Sequence, residues 1–65
     1  MLKGQIGENA GLVWSVLESG ELNVKAIKKS TKLKDQDLNL ALGWLAREGN
    51  ITFNEVEGDL FVVLA

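Results

Sequence analysis

An α+β fold of three helices closed by a C-terminal β-hairpin is what the sequence predicts, and three observations carry it. Apolar residues recur at helical spacing in three stretches before residue 49, the period switches to strict alternation at Ile51, and Gly58 stands between two strand-like runs. With a short strand at Leu22 ahead of the second helix, residues 22 to 64 follow the order strand, helix, tight turn, helix, hairpin. That is the chain order of a winged helix-turn-helix, and 65 residues are enough for one domain, 1–65. A chain of this size buries only about 60% of the surface its unfolded form exposes, so its stability is marginal.

The first helix is predicted over residues 6 to 19. Ile6, Ala10, Val13, Trp14 and Leu17 follow one helical stripe, and Gly20 supplies a left-handed stop. Leu12 and Val16 lie off that stripe and give the helix more apolar surface than one core face requires. Leu22 then forms the short strand, and Asn23 caps a second helix over 24 to 31 that turns Val24 and Ile27 inward. Its outer side carries Lys25, Lys28, Lys29 and Lys32, Lys34 follows in the turn, and Leu33 plugs the core between the two helices.

The third helix is predicted over 35 to 48, with Leu38, Ala41, Leu42 and Leu45 as its core stripe and Gly49 and Asn50 as its end. Leu40 and Trp44 fall roughly 160° to either side of Leu42, so both faces of this helix read as apolar. The strand from Ile51 to Val56 pairs with one from Leu60 to Leu64 across Glu57, Gly58 and Asp59, with Gly58 at positive φ.

Charge qualifies the usual meaning of this layout. Net charge is −2, but residues 1–34 hold six lysines against three acids, net +3, while residues 35–65 hold Arg47 against six acids, net −5. Asp35 and Asp37 open the third helix, the element that normally enters the major groove, and Glu55, Glu57 and Asp59 sit on the hairpin, where a DNA-binding wing brings Arg or Lys. Acids in a first turn also stabilise a helix through its dipole, by about 0.3–1 kcal/mol each. Either way, phosphate is repelled there.

With no cysteine and no histidine, the chain offers no disulfide, no thiolate zinc site and no neutral-pH proton carrier. Its serines and carboxylates form no triad-like or paired arrangement, and its glycines are too dispersed to cradle a phosphate, so neither catalysis nor a cofactor is expected. The longest apolar run, Leu60 to Ala65, is far short of the ~20 residues a membrane span needs, and the expected location is the cytoplasm.

The runs IGENAGLVW at 6–14, LKDQDLNLALGWLAREGNI at 33–51 and EGDLFV at 57–62 resemble small uncharacterised bacterial winged helix-turn-helix proteins, catalogued as a domain of unknown function. ALGWLARE is the most specific part. The resemblance covers nearly the whole chain and implies the fold, not an activity.

Two functional readings follow. In the first, the domain is a non-enzymatic module that associates with itself or another protein, with Leu12, Val16, Leu40 and Trp44 as the interface, because an exposed Leu and Trp one turn apart form an interface centre. Leu40 and Trp44 covered by the wing or by the N-terminal segment is the competing interpretation. A Leu60 to Ala65 strand on the sheet edge would offer a second route to a dimer. In the alternative, the domain is a DNA-binding regulator touching phosphates through Lys25, Lys28, Lys29, Lys32, Lys34 and Arg47, contacts that position a protein without reading bases.

Overall fold

The computed structural model describes residues 2–65, with side-chain surroundings from Gly4 onward. In chain order the elements are α1 (Leu2–Leu17), β1 (Leu22–Asn23), α2 (Val24–Thr31), α3 (Asp35–Arg47), β2 (Ile51–Val56) and β3 (Asp59–Leu64). Their order and types are those predicted, although α1 starts at Leu2 instead of Ile6 and stops at Leu17. The strands form one antiparallel sheet in the order β1-β3-β2.

The helices bury one stripe each against one another and against the sheet. Ala10, Val13 and Leu17 of α1, Ile27 of α2, Leu38, Ala41, Leu42 and Leu45 of α3, and Ile51 and Val62 of the sheet make one buried apolar cluster. No buried polar or charged residue interrupts it among the described residues. Leu33 packs against this cluster from the turn between α2 and α3, as predicted.

Trp14 departs from the predicted core stripe. It is 40% exposed, because it stands roughly 65° round the helix from the centre of Ala10, Val13 and Leu17 at about 100° per residue, off the buried stripe. The position of β3 also differs from a free edge. β3 is the central strand, paired with β2 along its length and with β1 at Phe61 and Val62, so the apolar run is not a free edge strand and β2 is the long edge.

Local hydrogen bonds explain where the helices begin and end. Asn23 Oδ1 accepts from the Ala26 N–H at 2.8 Å, capping α2, an interaction that contributes about 1 kcal/mol. At the other end Lys32 adopts φ 59° and its N–H donates to the Lys28 carbonyl. Thr31 Oγ1 donates to the Ile27 carbonyl at 2.9 Å and accepts from the Leu33 N–H at 3.4 Å, which turns Leu33 inward. Gly49, at φ 73°, ends α3, and the Asn50 N–H donates to the Leu45 carbonyl at 2.9 Å, as in a Schellman stop.

The hairpin is a two-residue turn with both central residues left-handed, Glu57 at φ 51° and Gly58 at φ 85°, the geometry whose twist matches the flanking strands. Gly58 is the turn residue the sequence indicates. Glu57 is the strained one, since a left-handed conformation costs a side chain of its type roughly 1–2 kcal/mol and asparagine less. Glu57→Asn is therefore expected to stabilise the chain by about 0.5–1 kcal/mol, raising Tm by roughly 2–8 °C. An unchanged or lowered Tm would show that the turn does not hold Glu57 in this conformation.

Pairing along the hairpin is one-to-one from Ile51↔Leu64 to Val56↔Asp59, without a bulge. Opposed residues share a face, so Ile51, Phe53, Glu55, Leu60, Val62 and Leu64 face the core side of the sheet. Val62 is fully buried, but Leu60, two residues on, is 43% exposed and Phe53 is 45% exposed. The wing leaves the body between Val62 and Leu60 on β3, and already at Phe53, the partner of Val62, on the edge strand β2.

Candidate interaction surfaces

Three surfaces stand out once the elements are in place. The first is the outer face of α2. Lys25, Lys28, Lys29 and Lys32 recur at i, i+3, i+4 and i+7, so one stripe of a short helix presents four ammonium groups. With Leu33 they line a shallow groove of about 390 Å³. Lys28 Nζ lies 2.7 Å from Asp35 Oδ1, both side chains well exposed, a pair that contributes little to stability.

The second surface is the leading end of α3. Lys34 stands at its N-cap with no side-chain hydrogen bond, and Asp35 and Asp37 occupy the first turn. The aspartates act there as charges facing the positive end of the helix, not as hydrogen-bonding caps. Gln36 and Asn39 are exposed on the same helix, and Arg47 lies in its last turn, a helix length away from the lysines' end. Asp35 also draws Lys28 toward the start of α3, which brings the basic and acidic groups together.

The third surface is apolar and discontinuous. Leu12 and Trp14 on α1, Leu40 on α3, and Phe53, Val56 and Leu60 on the wing are 37–47% exposed. Of the four predicted interface residues, Leu12 and Leu40 are exposed, Val16 is half-buried, and Trp44 is half-buried and packed against the core cluster. The exposed Phe53 and Leu60 were not legible in advance, because alternation marks which face a residue takes but not where the sheet overhangs the body. Among the described residues no group of three or more His, Cys, Asp or Glu converges as metal ligands, and no helix is long and apolar enough to cross a membrane.

This arrangement of helices, three-stranded sheet and protruding wing recurs in known proteins. The model of the family described as Winged helix-turn-helix domain (DUF2582) matches residues 1–64. The chain belongs to this winged helix-turn-helix family. A relative in Methanocaldococcus jannaschii, itself described as uncharacterised, is 41% identical over 51 residues, which span 74% of this chain and 73% of that protein. Among solved structures, a Bacteroides thetaiotaomicron protein determined by solution NMR superposes with a TM-score of 0.87 at 29% identity, over 98% of this chain and 79% of the other. HlyU from Vibrio cholerae superposes with a TM-score of 0.83 at 24% identity, over 89% of this chain and 63% of HlyU. HlyU shares the fold alone at that identity. DUF2582 membership accounts for the architecture, and what this member of the family does has to come from its own surfaces.

Proposed function

We propose that this winged-helix domain is a non-enzymatic cytoplasmic module that acts through protein association, foremost as a homodimer of its own chain. The observation that supports this reading is the exposure of Leu12 at 43% and Leu40 at 37% on α1 and α3, while the end of α3 that would enter a DNA groove carries Asp35 and Asp37. A second copy removes those leucines from water, with Val16 and Trp44 at the margin of the contact. Each is worth up to about 2 kcal/mol when fully covered. Sedimentation at several protein concentrations tests the reading at about 0.5 M salt, where the Debye length is about 4 Å and surface charge is silenced. Wild type is expected to dimerise, and Leu40→Glu and Leu12→Glu to remain folded and monomeric. A wild type that stays monomeric at high concentration overturns the reading.

The lysine face of α2 favours a second reading, a DNA-binding regulator that contacts phosphates through Lys25, Lys28, Lys29, Lys32 and Lys34, with Arg47 as an added contact. Asp35 and Asp37 and the acidic wing oppose it. Duplex binding is therefore expected to be sequence-blind, with Kd around 10⁻⁴ to 10⁻⁶ M or weaker near physiological salt. Nanomolar, sequence-selective binding would promote the regulator reading over the protein module.

A further inference from the structure

The chain carries two surfaces of opposite charge, and among the described residues no ion pair joins them. No acid interrupts residues 25–34, which hold five lysines, and no Lys or Arg follows Arg47. Among the described residues the one ion pair is Lys28 with Asp35. Lys25, Lys29 and Lys32 on the groove thus have no carboxylate within salt-bridge distance, and neither Glu55, Glu57 nor Asp59 has an ammonium group.

The wing end is built to present its charge. Glu55 lies opposite Leu60 on one face of the hairpin, Asp59 opposite Val56 on the other, and Glu57 is held in the left-handed turn between them. Carboxylates therefore ring the tip of a two-stranded ribbon whose strands are only about 4.8 Å apart. Behind them Val56 and Leu60 are 47% and 43% exposed. The groove on α2 has matching parts, three unpaired ammonium groups around the half-buried Leu33.

We propose that the wing end of one copy docks in the lysine groove of α2 on a second copy, with Val56 or Leu60 against Leu33 and the three carboxylates against Lys25, Lys29 and Lys32. The contact has an apolar centre and a charged rim, as protein interfaces do. A second copy is the favoured occupant, because both halves of the contact, equal in opposite charge, stand on the same chain and among the described residues neither finds an ion-pair partner within it. A hairpin tip covers far less than the ~800 Å² per partner of a standard interface, so the association is weak and depends on salt. This contact uses surfaces other than Leu12 and Leu40, so it stands or falls separately from the apolar dimer.

Sedimentation and amide chemical shifts across a protein concentration series, at about 0.01 M and about 0.5 M salt, test it. The wild type is expected to associate at least about tenfold more weakly at the higher salt, with low-salt shifts confined to α2 and the wing end. Glu57→Lys with Asp59→Lys reverses the wing, and Lys25→Glu with Lys29→Glu reverses the groove. Each reversed chain alone is expected to lose the low-salt association, and an equimolar mixture of the two to regain it, since each wing then faces an opposite groove. Circular dichroism checks folding, with the Lys→Gln pair replacing the Lys→Glu pair if the latter unfolds. No salt-dependent association in the wild type, or a wing reversal without effect, overturns the proposal. So does a mixture that fails to associate. If duplex DNA binds the wild-type groove while the wing reversal changes no self-association, the groove serves a polyanion and not the wing. Association that persists at high salt and disappears only in Leu40→Glu leaves the apolar dimer standing and removes this contact.

Discussion

Leu38→Ala is expected to cost about 2–5 kcal/mol and to remove most of the cooperative unfolding transition. Leu38 is 1% exposed at the centre of the contact between α3 and the remaining elements. A 65-residue chain has roughly 3–10 kcal/mol of total stability at typical values per residue, so this one truncation takes about a fifth of it at the least. Leu40→Ala on the same helix should cost under about 1 kcal/mol, because Leu40 is 37% exposed and leaves no closed cavity. Urea denaturation of both variants checks the pair. Equal losses would place the core somewhere other than the Leu38, Ala41, Leu42 and Leu45 stripe.

Trp44→Glu separates core from interface at the neighbouring position. Trp44 packs against the core cluster while remaining half-buried. A carboxylate there loses the ring's contacts and sits against apolar side chains, which is expected to destabilise the monomer by about 1–3 kcal/mol. A variant with wild-type stability that no longer dimerises would instead make Trp44 an interface anchor first and a core cover second.

Helix periods, the change to alternation at Ile51 and the turn at Gly58 made the fold readable, because each is a local consequence of which face must leave water. What escaped was the reach of particular side chains and elements. Measured from Leu42, Trp44 stands nearly opposite, but Leu42 lies at one edge of the stripe. From the centre of Leu38, Ala41, Leu42 and Leu45, Trp44 is only about 110° away and Leu40 about 150°. A long indole spans that difference and an isobutyl group does not. The start of α1 was hidden for another reason: Gly4 and Gly7 weaken the helical signal, by roughly 1 kcal/mol each relative to alanine, in a turn that extends beyond the apolar stripe. The lysine groove was legible as a charged face, since spacing alone puts four lysines on one side of α2. Its complementarity to the wing end was not, because it required knowing that neither finds a partner in its own copy.

Asn23 pairs with Phe61 in the sheet and, in the same backbone step, caps α2 through its side chain. No linker residue separates the ladder from the helix, since α2 begins at Val24. The wing root and the lysine helix are therefore joined without a hinge, and they form one unit of opening. Amide hydrogens of α2 and of the central strand around Val62 should exchange with a common free energy, and opening of the ladder at Asn23 should release the cap of α2 in the same event.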